Sequence, residues 1–310
     1  MVRRIRSYHE VGAAAGGDVL EQVRAQRRRL EERLAQVRRV VAVASGKGGV
    51  GKSAVTANLA ATLAERGHRV GAVDADLNGP SLARMLGAAG QPLEVREDGV
   101  LPATGAAGVR VMSMDLLLAD DDAPVRWRGP GGRVAPPGAE DAFVWQSTLE
   151  TGTLREFLAD THWGELDWLL IDAPPGTDRI ERLLGLVPRL DAVLLVTTPS
   201  EAARFVVAKS VRLARDAGVA AVGLVANMCA YVCPTCGSAA PLFDADGARR
   251  LAEAAALPLW TEIPFDPRLA ASTDAGAPFV LGTRDAPAAH ALRALADRLE
   301  RDTSHQEAPP

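Results

Sequence analysis

Residues 46–53 read Gly-Lys-Gly-Gly-Val-Gly-Lys-Ser, the residue types and spacing of a loop that wraps phosphate. Glycines let successive backbone N–H groups turn inward onto phosphate oxygens. The helical pattern that follows, 52–66, adds the positive end of its dipole. Lys52 is placed to reach the β- and γ-phosphates, and the Ser53 hydroxyl to ligate Mg²⁺. The candidate nucleotide-contacting run is therefore Gly46, Lys47, Gly48, Gly49, Val50, Gly51, Lys52, Ser53 and Ala54. It carries one lysine more than such a loop requires, and by itself Lys47 reads equally as a solvated loop residue.

A Mg²⁺–nucleotide site also needs carboxylates. The hydrophobic run 167–173 closes on Asp172, an acid at a strand tip where it can hold Mg²⁺ through water. Gly176 and Thr177 follow, where a loop could sense the γ-phosphate. Asp74 and Asp76, two residues apart in "VGAVDADLNGPS", share one side of an extended strand. Both could approach the magnesium and the attacking water. Either one alone also fits a helix cap or a turn former.

The three cysteines, Cys229, Cys233 and Cys236, lie in one short stretch. A disulfide framework would spread them along the chain, whereas a cluster reads as a metal or redox site. "CPTCG" gives two thiolates at C-x-x-C spacing, half of the four ligands that zinc and iron–sulfur sites usually take. No second such pair exists in the sequence. A two-fold dimer would supply the missing two. Zinc, an iron–sulfur cluster and a reducible disulfide all fit at this point. Cys229 reads as a small buried or half-buried residue; a third ligand role is open, with nothing in the sequence to support it.

The elements that must position these groups alternate regularly. Apolar runs at 40–45, 69–75, 109–114, 167–173, 191–198, 220–227 and 259–264 read as strands covered on both faces. Helical patterns such as 52–66, 201–217 and 246–255 fall between most of them. The expected architecture is α/β: a doubly wound, mostly parallel sheet of about seven strands with helices on both faces. Ligands in such sheets sit at the carboxyl ends of the strands, where all the motifs above fall. Residues 87–108 look like a loop or hairpin excursion, and 128–147 like a long Gly/Pro-rich connection.

Three units are expected: a basic, amphipathic extension over 1–38, the main domain over 39–302, and a disordered tail over 303–310. The arginine-rich helical pattern from about Leu20 fits a solvated helix packed on the domain, a dimer-stabilising helix, or a weak membrane or nucleic-acid contact. Net charge is −4, which excludes a chain-wide electrostatic grip on nucleic acid. No run approaches the roughly 18 apolar residues of a membrane span. The basic N-terminus has no apolar core of a secretory signal, so a cytoplasmic location is expected.

Several segments together carry a family resemblance. "VASGKGGVGKSAVTANLA", "VGAVDADLNGPSLARMLG", "VRVMSM", "VRWRGP", "WGELDWLLIDAPPGT", "LLVTTPSE", "ANMCAYVCPTCG" and "IPFDPRLAASTDAG" run in order over about 40–280. The chain resembles the Mrp-type ATPases, iron–sulfur cluster carriers of the MinD/ParA-related P-loop class. The resemblance implies an ATP hydrolase, slow and dependent on dimerisation. It implies that Lys47 reaches across a homodimer to the partner's nucleotide phosphates and that Asp76 positions the attacking water. It implies that Asn227 contacts adenine, with Pro264 and Asp266 near the base. It also implies that Cys233 and Cys236 share a labile [4Fe–4S] cluster between two subunits. ATP, Mg²⁺ and that cluster are the expected bound species, and scaffold donors and apo-proteins the expected partners. Stable nucleic-acid or membrane binding is not expected. A MinD/ParA-like positioning or partition switch, or a zinc-bridged regulatory ATPase, are the alternatives. Relative to the family pattern, the chain starts almost directly at the ATPase domain. The stretch after "WRGP" is longer, "DRIERLLGLVP" replaces a Gly-Asp pair and Gln-rich helix, and "SEAARFVVAKS" follows "TTP" where Gln-Asp is usual.

Overall fold

Strand β1 (Val37–Ala44) is the middle of the molecule, and its alternation shows why. Val41 and Val43 face one apolar layer, while Val40, Ala42 and Ala44 face a second. A strand buried on both sides must be apolar at successive positions, and each buried valine contributes about 1.5–3 kcal/mol relative to exposure. The computed structural model describes residues 16–118, 140–200, 203–233 and 235–304.

Within these residues, helix α1 (Gly16–Leu34) precedes β1, and α2 (Lys52–Glu65) follows it. Then come β2 (Val70–Asp74), the one-turn α3 (Leu82–Met85), the small hairpin β3 (Val95–Arg96) and β4 (Gly99–Val100), β5 (Ala103–Thr104) and β6 (Arg110–Met112). Next are α4 (Glu140–Asp160), β7 (Leu166–Asp172), α5 (Thr177–Leu186), β8 (Ala192–Thr197) and α6 (Arg204–Asp216). Strands β9 (Ala221–Val232) and β10 (Ala239–Pro241) form a hairpin, followed by α7 (Gly247–Ala254) and β11 (Leu259–Phe265). Helices α8 (Pro267–Asp274), α9 (Phe279–Gly282) and α10 (Pro287–Ser304) close the described chain.

The main sheet runs β11-β9-β8-β1-β7-β2-β6, with all of these pairings parallel. Strand β5 adds antiparallel to β6, and β10 adds antiparallel to the far end of β9. One face carries α2, α3, α9 and α10, through residues such as Leu59, Leu82, Phe279 and Leu292. The other carries α1, α4, α5, α6 and α7, through Leu30, Phe157, Ile180, Val211 and Leu251. This is the expected doubly wound architecture.

Three local expectations change. Residues 140–147 are helical, because "EDAFVWQS" lacks the glycines and prolines that precede it; 128–139 lie outside the described residues. Strand β9 runs five residues beyond 227, since β10 pairs with its end. Helix α10 reaches Ser304, with Thr303 buried and bonded to the Leu299 carbonyl (2.8 Å). Residues 1–15 and 305–310 lie outside the described residues. Helix α1 lies along α4: Leu30 and Leu34 are buried, and Arg29 pairs with Asp160 at 3.2 Å.

Candidate functional site

Between Ala44 and Lys52 the chain must leave a buried strand and re-enter a helix within seven residues. Gly49 and Gly51 make this possible at φ +78° and +80°, where a side chain is strained. At Gly51 a side chain would also collide with the Asn227 amide. The loop is fastened on its other flank, where the Ser45 carbonyl accepts the Gly176 N–H at 3.0 Å. The candidate γ-phosphate-sensing segment is thus tied to the candidate phosphate loop by a main-chain bond.

Asp172 ends β7 with no solvent exposure. Its Oδ2 lies 2.7 Å from Lys52 Nζ and accepts the Ser53 hydroxyl at 2.6 Å. Its Oδ1 accepts the Thr56 hydroxyl at 2.7 Å. Lys52 and Ser53 open the first turn of α2 with Thr56 one turn on, and the parallel β1–β7 pairing sets Val43 opposite Asp172. A buried ammonium–carboxylate pair holds only when its remaining valences are satisfied, and the two hydroxyls do that here. The donor set also fits Mg²⁺: hard, adjacent oxygens of Ser53 and Asp172 beside a cation that can turn to phosphate. Thr56 was not singled out in the sequence, although its place four residues after Lys52 puts it on the same helix face.

Asp74 stands beside Asp172 in the β2–β7 register, but its oxygens turn to the backbone. Oδ1 accepts the Asp76 N–H at 3.0 Å; Oδ2 accepts those of Ser81 and Leu82 at 2.8 and 2.9 Å. It holds the turn into α3, the capping role that its residue type allowed. Burial first, and the Asp172 charge second, push its carboxyl up to about 7. Asp76 is half-buried beyond the strand end; burial raises its carboxyl, against the positive charges of Lys52 and Arg179. Asp76 therefore shares the electrostatic field of the phosphate loop.

The Asp74 environment makes a pH prediction. The folded protein holds this proton up to about pH 7, whereas an unfolded aspartate releases it near pH 3.9. Between those values the native state binds more protons, so this group's contribution to stability is complete below the lower one and fades as pH rises through the upper. Thermal denaturation of the nucleotide-free protein from pH 5 to 8 should show that decline. Asp74→Asn, less stable overall because an amide cannot accept all three N–H groups, should lose this component of the slope.

Asn227 lies on β9, 7% exposed, and its amide donates to the Val50 carbonyl at 2.9 Å. The side chain expected near adenine thus braces the phosphate loop. Strand β11 pairs with β9 so that Ile263 lies opposite Asn227, which brings half-buried Pro264 and buried Asp266 to the same edge. Asp266 caps α8 through the Arg268 N–H (3.0 Å) and accepts the Arg268 guanidinium at 3.0 and 2.7 Å. That guanidinium holds its carboxyl below the usual carboxylate range. Lys47 is exposed on the loop crest.

Six residues after Asn227 the same chain reaches Cys233. Met228 at φ +61° bends the end of β9 out of its regular pairing with β11, and the strand continues into the hairpin with β10. The Cys233 N–H donates to the Ser238 carbonyl, and the Gly237 N–H to the Cys233 carbonyl, both at 2.9 Å. Gly237 at φ +72° makes this tight return. Cys233 is half-buried and Cys236 exposed at the tip, its Sγ 2.8 Å from the Ser238 Oγ. Contacts with Ser238 hold the Cys236 thiol below its ordinary range. Cys229 differs: burial pushes its thiol up to about 12, and it faces the Ala226 carbonyl. Among the described residues no group of three or more His, Cys, Asp or Glu side chains is arranged to hold a metal ion. Ser238 was also missed in the sequence; its only signal was its place two residues after Cys236.

A doubly wound sheet, a glycine-rich loop after its central strand, and a strand-tip aspartate against the loop lysine define a P-loop NTPase of the MinD/ParA type. The chain belongs to the ParA family described as the NUBPL iron-transfer P-loop NTPases, whose model matches residues 36–135 and 134–300. The iron-sulfur cluster carrier protein of Saccharolobus solfataricus is 37% identical over 282 residues, covering 91% of this chain and 89% of that one. The nucleotide-binding protein of Archaeoglobus fulgidus, solved in complex with ADP, superposes with a TM-score of 0.67 at 35% identity, over 81% of this chain and 92% of that one. The cell division ATPase MinD of Pyrococcus furiosus superposes at 0.58 with 26% identity, over 85% and 99%. No described helix is long and apolar enough to cross a membrane.

Proposed function

We propose that the protein is a cytoplasmic Mg²⁺-ATP-dependent carrier of iron–sulfur clusters. Two copies would hold one [4Fe–4S] cluster between their Cys233 and Cys236 pairs and pass it to apo-proteins. The observation that carries this reading is the path of β9. Its Asn227 grips the phosphate loop at Val50, and the thiol pair lies at the end of the same strand. A shift of the loop on nucleotide binding would move a strand whose tip bears the cargo ligands. Such a coupling biases one conformation against another, as a load-and-release switch requires. The two-thiol hairpin supports a second copy as the source of the other ligands.

In this reading Ser53 and Asp172 would hold Mg²⁺, which would supply positive charge against the nucleotide phosphates. Lys52 leaves Asp172 for the phosphates, and Asp76 orients the attacking water. Asn227, Pro264 and Asp266 form the edge nearest the base. Exposed Lys47 is free to cross to the nucleotide of the second copy. Lys47→Ala should therefore leave ATP affinity within about twofold of the parent, while turnover falls by roughly a thousandfold, the scale of a cation supplied in trans. Collapse of ATP affinity with turnover per bound nucleotide unchanged would make Lys47 an ordinary loop contact.

Anaerobic reconstitution tests the carrier reading directly. Iron and sulfide should each approach about four per two chains, with the broad visible absorption of a thiolate-bound cluster. Protein that takes up zinc alone, or no metal, under those conditions would overturn it. Delivery from a scaffold donor and onward to an apo-protein should then depend on Mg²⁺-ATP.

A further inference from the structure

The hairpin that carries Cys233 and Cys236 has a third polar side chain within reach of a sulfur. The Ser238 Oγ lies 2.8 Å from the Cys236 Sγ. The same residue's carbonyl accepts the Cys233 N–H at 2.9 Å. Ser238 therefore touches both cysteines, one through its side chain and one through its backbone. When Cys236 is a thiolate it has no proton to give, so the hydroxyl must be the donor.

We propose that Ser238 is a positioning residue for the cargo, whose hydroxyl draws electron density from the Cys236 sulfur and so loosens its hold on iron. This rests on the carrier reading of the thiol pair and adds to it a reason for release. A sulfur lone pair engaged by O–H is a poorer donor to a metal, and hydrogen bonds to ligand sulfurs tune metal sites. In a two-fold dimer the effect falls on two of the four thiolates. A carrier must let go, and a hydroxyl on the more exposed cysteine of each pair favours release.

Ser238→Ala isolates the hydroxyl, because alanine keeps the carbonyl that closes the hairpin on Cys233. Ser238→Thr keeps the hydroxyl and serves as the rescue. In the reconstituted full-length dimer, loss of the visible cluster absorption to an iron chelator should be roughly three- to tenfold slower for Ser238→Ala, and at the parent rate for Ser238→Thr. The apo-protein loaded with Co²⁺ gives a second readout, the thiolate-to-metal charge-transfer band. Removal of the hydrogen bond raises the sulfur lone pair, so the band should move to lower energy in Ser238→Ala and stay in place in Ser238→Thr. Cluster loss at the parent rate or faster in Ser238→Ala, or an unmoved cobalt band, overturns the proposal. If the parent takes up no cluster, the carrier reading falls, and the cobalt band alone still decides the role of Ser238.

Discussion

Asp172→Asn will cut ATP turnover by at least about a hundredfold and will destabilise the nucleotide-free protein. Both effects come from one carboxylate with no solvent exposure. Without nucleotide it is the counter-charge of Lys52, whose side chain is only 7% exposed. Removing one partner of a buried pair leaves the other charge uncompensated, at a cost of about 3–5 kcal/mol. In a domain of this size that is on the order of 10 °C in melting temperature. If Mg²⁺-ATP binds as proposed, phosphate replaces Asp172 as the counter-charge of Lys52. The stability gap between variant and parent should therefore narrow at saturating Mg²⁺-ATP, even though the variant cannot place the metal for hydrolysis. A purely structural aspartate predicts the same gap with and without nucleotide. Calorimetry in both states, beside single-turnover hydrolysis, separates the two. Parent-like turnover would remove Asp172 from the site altogether.

Asp172 and Asp74 show where the sequence is informative and where it stops. Both are acids at the ends of apolar runs beside a phosphate loop, and nothing local ranks one above the other. The difference is made after the strand. Following β7 the chain passes to "APPGT", leaving the Asp172 carboxylate to face α2. Following β2 the chain loops through residues 75–81 into α3, and the free N–H groups at the start of that helix capture Asp74. Capping is decided by which backbone donors lack partners, and those are known only once the turn is built. The sheet was legible because two-sided burial writes long apolar runs into its central strands, such as 40–44 of β1 and 168–171 of β7. The hairpin at the end of β9 was not, since "MCAYV" alternates weakly and β10 is only three residues long. The role of Asn227 as a loop brace was hidden for another reason: its partner, the Val50 carbonyl, is 177 residues away. The loop itself needed no such distance information, because its chemistry lies in the glycines.

If two copies share the cluster as proposed, Cys233→Ala will empty the cargo site, because one substitution then removes two of four thiolates. The decisive form of this experiment is the mixed dimer of one variant and one parent chain, isolated with two different tags. A site complete within each chain predicts half the parent's iron, held as firmly as before, since the parent chain keeps its own ligands. A bridging site predicts three thiolates on one cluster, so the iron should be lost during gel filtration. The proposal expects the second outcome on ligand count: among the described residues no His, Asp or Glu joins Cys233 and Cys236 in a group of three. Cys229 does not supply the missing ligand either: it joins no group of three such side chains among the described residues, and its Sγ faces the Ala226 carbonyl at 3.2 Å. Cys229→Ala should accordingly keep parent iron content. If instead Cys229→Ala empties the site while the mixed dimer retains half its iron, the ligands lie within one chain, and the two-fold arrangement no longer follows.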